Sequence, residues 1–223
     1  MEQNIIKQHV QLVDHMGNDL SIVNAARKSY GKSSEEFNDN DKKLLRYLWD
    51  HAHTSPFEFV EFTFLVKCPI PIAKQWMRHR TWSYNEISRR YTDTNLEYYT
   101  PDPFRKQSVD NKQASIGAPA LEDQQYHPTY WKYKLAIKSC FEAYDALLED
   151  GVAKEQARFV LPQAVYTEFY AKTDLSNLLK FIRLRHDSHA QWEMQQYAKR
   201  LLELIEPIVP HTVGLFEEEM NND

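Results

Sequence analysis

Apolar positions along the 223-residue chain mark helical stripes and short strand-like runs. Residues 9–13 (His-Val-Gln-Leu-Val) predict a short strand, and Met16-Gly17-Asn18-Asp19 turns the chain. Ile22, Val23, Ala25 and Ala26 predict a helix over residues 20–30. Leu44, Leu45, Leu48, Trp49 and Ala52 predict another over 41–53, broken by Ser55-Pro56. Residues 57–68, rich in Phe and Val and closed by Pro69, predict a strand whose two faces are both apolar and therefore both covered. Pro71 suits the first turn of a helix over 72–80. In that helix Ile72, Ala73, Trp76 and Met77 share one face, Gln75, Arg78 and His79 another.

Residues 98–129 are polar and punctuated by proline without clear periodicity, which predicts a long mobile loop with a functional role. Helices are expected over 132–148, stopped at Gly151, and over 154–161, ended by Pro162. A last long helix over 175–205 has Thr173 or Asp174 as its N-cap. Its apolar stripe is interrupted between Ile182 and Met194 by Arg185, His189 and Glu193, spaced by four. That trio is either an i,i+4 surface ladder, worth a few tenths of a kcal/mol per pair, or one wall of a polar pocket.

The densest candidate chemistry lies in residues 78–91, Arg-His-Arg-Thr-Trp-Ser-Tyr-Asn-Glu-Ile-Ser-Arg-Arg-Tyr. Four arginines in so short a segment present planar donor forks suited to phosphate and carboxylate. The segment reads as a receptor for polyanionic ligands, against a salt-bridged surface stretch or a nucleic-acid patch in which Trp82, Tyr84 and Tyr91 stack on bases. A net charge of −5 argues against general nucleic-acid binding, so the expected partner is a small anion.

Five scattered glycines exclude GxGxxG and Walker-type loops, so any nucleotide must be held by side chains and helix ends. Cys68 and Cys140 form no CxxC pair; neither a disulfide framework nor a zinc site is expected. Cys68 has no adjacent base and reads as a structural thiol. The His51/His53 pair is weak as a metal motif, and no metal is expected. Ser88 lacks a Ser-His-Asp relay and reads as a hydrogen-bond donor to an anion. The N-terminus has no signal-like apolar region and no run approaches a membrane span, so a cytoplasmic protein without membrane contact is the expectation.

Arg78-His79-Arg80, seven residues, then Ser88 resembles the signature of flavin-dependent thymidylate synthases. The resemblance extends to His53-Thr54-Ser55-Pro56-Phe57-Glu58, to Gln75-Trp76, to Ala157-Arg158-Phe159-Val160-Leu161-Pro162, and to the ten residues from Leu184 to Glu193, in the expected order. It implies an α+β fold, with a central antiparallel or mixed sheet flanked by long helices, as a single domain over residues 1–223 with a mobile loop near 100–128. The implied activity is reductive methylation of dUMP to dTMP. The carbon donor is 5,10-methylenetetrahydrofolate, FAD is the hydride carrier and NADPH the reductant. The implied assembly is a homotetramer with active sites shared between subunits. The alternative is a flavin- or nucleotide-binding module without catalysis.

Carried over residue by residue, the resemblance implies dUMP contacts from Gln75, Trp76, Met77, Arg78, Glu86, Ile87, Ser88, Arg89, Arg90, Arg158 and Arg185. Arg185 takes the catalytic role, polarising the uracil ring. Implied FAD contacts are Ser55, Arg78, His79, Arg80, Thr81, Glu86, Asp174, Ser176, Lys180 and His189. At three of these the chain departs from members carrying Asn-x-Arg and a later Asn, having Asp174-Leu175-Ser176 and Lys180 instead. Lys180 offers a replacement for the missing positive charge.

Overall fold

The computed structural model describes residues 9–102, 104–109, 111, 115–116 and 128–222. Its centre is a four-stranded antiparallel sheet of order β1-β2-β6-β3. The strands are β1 (Val10–Met16), β2 (Glu61–Pro69), β3 (Ser83–Glu86) and β6 (Tyr166–Asp174). Strand β2 pairs with β6 along its whole length, from Glu61 opposite Asp174 to Pro69 opposite Tyr166. A small hairpin joins β4 (Lys106–Gln107) to β5 (Ser115–Ile116). The helices are α1 (Asp19–Arg27), α2 (Asp39–Asp50), α3 (Ile70–Trp76), α4 (Pro128–Glu149), α5 (Lys154–Ala157), α6 (Leu175–His186), α7 (Trp192–Ile205) and α8 (Pro210–Asn222). This is the expected α+β architecture.

Strict alternation on β2 explains which side of the sheet is the core. Phe62, Phe64, Val66 and Cys68 are buried, while Glu61, Thr63, Leu65 and Lys67 are half-exposed. Among the described residues the second face is therefore covered only in part, against the expected full cover on both sides; Leu65 makes that face look more apolar than its Glu61, Thr63 and Lys67 neighbours leave it. The buried face packs on α6 and α7, whose Leu178, Phe181, Ile182, Met194, Tyr197 and Leu201 complete the core with α1 and α8. At its centre Trp76 is 0% exposed and meets the rings of Trp82, Phe169, Phe181 and Tyr197 with centroids 4.9–5.9 Å apart.

Several expected elements have different limits. The long helix over 175–205 is two helices. Asp174 caps α6 by accepting from the Asn177 backbone N–H at 2.9 Å. After α6, Asp187 turns extended and its carboxylate takes the His189 backbone N–H and ring nitrogen, both at 2.7 Å. Such a local bond competes with helix continuation, so Arg185, His189 and Glu193 do not share one helical stripe. Likewise α3 ends at Trp76, leaving Arg78 and His79 in the following turn rather than on a helix face. The strand begun at residue 57 starts instead at Glu61, after a 3₁₀ turn over Ser55–Phe59.

Strands β3 and β6 and helix α8 are additions to the sequence reading. Within 98–129, Tyr98 bridges Val165 and the Tyr99 N–H donates to the Ala164 carbonyl at 2.8 Å, so this end is tied to the fold. The rest of the expected mobile loop at residues 103, 110, 112–114 and 117–127, and the N-terminal residues 1–8, lie outside the described residues.

Two close approaches fix the periphery. Gly17 has φ +82°, and a Cβ there would stand 3.0 Å from the Phe59 carbonyl oxygen. Buried Asp19 accepts from the His211 N–H at 2.9 Å, the Thr212 N–H at 3.1 Å and the Thr212 hydroxyl at 2.6 Å, joining the first turn of α1 to that of α8. Asp19→Ala strands these donors and should cost about 1–3 kcal/mol. Urea unfolding should show a lower midpoint with an unchanged slope; an unchanged midpoint would mean that the two helices are held by apolar packing alone.

Candidate active site

Burial of Trp76 sets its neighbours. Gln75 and Arg78 flank it, and the Trp76 carbonyl accepts the Tyr84 hydroxyl at 3.1 Å and the His79 N–H at 3.0 Å. The turn carrying Arg78 and His79 is thus pinned to β3. Arg185, near the end of α6, reaches across to it: its Nε donates to His79 Nε2 and its Nη2 to the Gln75 carbonyl, both at 3.0 Å. Around this junction lies a cleft of about 510 Å³ walled by Gln75, Arg78, Arg105, Gln107, Ser115, Arg185, His189, Ala190 and Gln191.

The electrostatics of the junction are specific. Burial, with the nearby Arg78 charge, lowers the Arg185 pKa from its ordinary value, leaving a partly desolvated guanidinium. Burial, then the Arg185 charge, depresses His79 to about 4, so the ring is neutral near pH 7. A neutral ring that accepts at Nε2 carries its proton on Nδ1. Below the cleft, Glu193 is 5% exposed and accepts from Arg105 and from the Tyr99 hydroxyl at 3.0 Å. Its other oxygen accepts from Gln191 at 3.0 Å. Burial alone would raise the Glu193 pKa. The Arg105 guanidinium, the residue's own backbone N–H and the Gln191 amide together outweigh that and hold it low.

A second cleft, of about 500 Å³, opens between α2, the turn after it and α6. Leu48, Trp49, Phe57, Leu179 and Leu184 make its apolar wall; His53, Thr54, Ser176, Lys180, Arg183 and Asp187 supply polar groups. Arg183 is paired with Glu219 at 2.7 Å, whereas Lys180 is exposed and has no partner among the described residues.

The residues singled out in the sequence therefore fall into three groups. Gln75, Arg78, Arg185 and His189 line the arginine-rich cleft, with His79 behind it. Ser176 and Lys180 line the apolar cleft, and Ser55 follows Thr54 at its rim. Arg90 and Arg158 meet elsewhere at Glu155: Arg90 lies 3.8 Å from its carboxylate and Arg158 donates to its carbonyl at 3.3 Å, while the Ser88 hydroxyl accepts from the Arg90 N–H. Glu86 accepts from the Thr167 hydroxyl at 2.5 Å, and the Ile87 N–H donates to the Glu168 carbonyl. Arg89 is turned back onto the Thr94 carbonyl.

The Trp76 side chain lies in the core, so only its backbone is available to a ligand, while Met77 is half-buried and packs against that core. The Asp174 carboxylate is engaged in capping α6. Arg80 and Thr81 are exposed in the turn before β3. Cys68 is wholly buried, and burial followed by the Glu86 charge pushes its thiol pKa up, which agrees with a structural role. Sequence reasoning missed Arg105 and the hub role of Glu193. The signal available was Glu193 in the polar break, but its partner lay in the segment read as a loop.

Comparison with known proteins follows the same lines. The profile described as "Thymidylate synthase complementing protein" matches residues 11–211. A flavin-dependent thymidylate synthase of Thermus thermophilus is 50% identical over 214 residues, covering 96% of this chain and 77% of that protein. One from Thermosipho africanus is 44% identical, covering 97% and 94%. Among solved structures, a UMP/dUMP methylase, PolB from Streptomyces cacaoi bound with 5-Br UMP, superposes with a TM-score of 0.83 at 34% identity, covering 94% of this chain and 93% of that one. The arginine-lined cleft thus belongs to an enzyme of the thymidylate synthase class. This chain is a member of the flavin-dependent thymidylate synthase family.

The His79 geometry makes a pH prediction. Its folded pKa of about 4 lies below the ordinary 6.5. The contribution to stability is therefore complete above about 6.5 and is lost as pH falls from there through 4. In flavin-free protein, wild type should lose melting temperature across this window by more than His79→Gln does. The His79 imidazole resonance should titrate near 4; a midpoint near 6.5 would show that the ring is not the acceptor for Arg185.

Proposed function

We propose that this protein catalyses reductive methylation of dUMP to dTMP, with 5,10-methylenetetrahydrofolate as carbon donor, FAD as hydride carrier and NADPH as reductant. The observation that carries the reading is Arg185, a partly buried guanidinium held by His79 and the Gln75 carbonyl in a cleft it shares with Arg78. The solved methylase PolB, similar over most of its length, is described with 5-Br UMP and with 5-Br dUMP bound.

Arg185 uses its Nε and one Nη2 hydrogen on protein acceptors, and its remaining N–H groups are available to a ligand. Because both protein partners are neutral, the full positive charge is directed at the cleft. A cation fixed there stabilises negative charge developing on a uracil ring and makes carbon 5 more nucleophilic. Arg78, with no ion-pair partner among the described residues, adds a second cation for an anionic nucleotide. No covalent nucleophile from the protein is needed, in keeping with a buried Cys68 and a Ser88 whose hydroxyl accepts from the Arg90 N–H at 3.3 Å.

The apolar cleft fits a flavin dinucleotide: Trp49, Phe57 and three leucines suit a flat ring system, and the unpaired Lys180 suits an anionic tail. Ser55, Ser176 and Lys180, with the Arg78-His79-Arg80 turn, are the residues that would hold FAD, which supplies hydride transfer when bound. Asp174 serves here through the α6 terminus it caps. The group formed by Ser88, Arg90 and Arg158 does not line the arginine-rich cleft of its own chain. A nucleotide touching both groups calls for two subunits, which supports sites shared between subunits, as in the homotetramer we propose.

The test is dTMP formation from dUMP, methylenetetrahydrofolate, NADPH and FAD by the purified protein. Flavin binding without product would reduce the reading to a binding module. Arg185→Ala should lower turnover roughly 10²–10³-fold with little change in melting temperature, and Arg185→Lys should recover only part, since a point charge cannot reproduce the fork. Ser88→Ala should weaken turnover without abolishing it; complete loss with normal dUMP and FAD binding would restore a nucleophilic role. Light scattering should find no active monomer.

A further inference from the structure

The arginine-rich cleft contains three guanidiniums, and they are not electrostatically equivalent. Arg105 is neutralised by Glu193, in a pair whose side chains are 12% and 7% exposed. It is held further by Ser115 at 2.9 Å and lies over the Trp192 ring at 4.7 Å. Arg185 bonds only neutral acceptors, and Arg78 has no ion-pair partner among the described residues. The charge of Arg105 is therefore spent inside the protein, while Arg78 and Arg185 keep theirs for a ligand.

Glu193 does more than balance that charge. An ionised carboxylate can only accept hydrogen bonds. Gln191 must therefore turn its NH₂ toward Glu193, which it does at 3.0 Å. Its carbonyl oxygen is then directed away and accepts from the NH₂ of Gln75. One N–H of the Gln75 NH₂ is spent on Gln191, which turns that end of the amide toward Gln191 and the side-chain carbonyl, as acceptor, the opposite way. The donor–acceptor sense thus passes from Glu193 through two amides to the cleft wall. Amide orientation is free in an isolated glutamine; here a buried charge at one end of the chain sets it.

We propose that Glu193, neutralised by Arg105, is a positioning residue that fixes Gln75 as a hydrogen-bond acceptor toward the base of the nucleotide, favouring a pyrimidine with an imide N–H, such as uracil, over cytosine, whose ring nitrogen at that position carries no hydrogen. This rests on reading the cleft as the dUMP site. Glu193 touches no ligand in this scheme; it acts through Gln191. Replacing it by the isosteric glutamine keeps the volume and hydrogen-bonding capacity but removes the obligation to accept. Both amides can then reverse, presenting an NH₂ to the base.

The test compares wild type with Glu193→Gln, Arg105→Lys and Arg185→Ala as flavin-loaded enzymes, measuring dissociation constants for dUMP and dCMP and the KM and kcat for dUMP. Glu193→Gln should weaken dUMP binding about tenfold, the scale of one hydrogen bond, and reduce the preference for dUMP over dCMP. Flavin content should stay unchanged and kcat should fall far less than KM rises. Arg105→Lys, which keeps a cation beside Glu193, should preserve the preference. A Glu193→Gln enzyme that discriminates as wild type does, while Arg185→Ala loses dUMP, overturns the positioning role and leaves the cleft reading intact. Unchanged dUMP binding in both variants overturns the cleft reading and the proposal with it.

Discussion

The geometry of the arginine-rich cleft depends on the burial of one indole. Trp76 closes α3 and is packed by rings from the turn after it, from β6, from α6 and from α7. Aromatic rings at these separations and inclinations attract beyond simple area burial. The contact fixes where α3 ends and therefore where the backbone leaves it. Gln75 and Arg78 can face the cleft because Trp76, between them, faces the core. Arg185 gains a carbonyl acceptor from the same stretch, so packing and ligand chemistry share a few adjacent residues.

Charge is distributed in a way that the total conceals. The chain is acidic overall, yet the cleft beside Trp76 gathers three arginines. Several carboxylates that might cancel them are occupied elsewhere: Asp19 ties α1 to α8, Asp174 caps α6 and Asp187 forms the turn that ends it. Among the described residues only Glu193 is directed into the arginine group, where Arg105 is the guanidinium it engages. A local positive field in an acidic protein draws small anions without the nonspecific attraction that a basic surface has for nucleic acid.

Much of this was legible in the order of residues. The arginine-rich segment, the polar break near Arg185 and the Phe- and Val-rich strand β2 all pointed to real features. What failed did so for identifiable reasons. The Leu65 side chain made β2 look apolar on both faces. The spacing of Arg185, His189 and Glu193 fits a continuous helix, although Asp187 takes the His189 backbone N–H on its own carboxylate and stops it. Strand β6 went unassigned because its outward face carries Glu168, Tyr170 and Lys172, and its identity as the central partner of β2 and β3 is a tertiary fact. Arg105 was hidden for the same reason: its partner lies 88 residues away. Membership of the family matched the resemblance; the separation of Ser88, Arg90 and Arg158 from Arg185 within one chain follows from no local pattern.

Gly17 carries a consequence for how sequence change is tolerated. Its left-handed backbone and the 3.0 Å approach to the Phe59 carbonyl press the turn after β1 against the turn at Ser55–Phe59. Thr54 and Phe57 of that second turn border the apolar cleft. A methyl group added at residue 17 would displace this rim without touching any ligand. Substitutions there would thus be filtered by the demands of the cleft as well as by folding, and an evolutionary record of the position would resemble that of a binding residue although it makes no contact of its own.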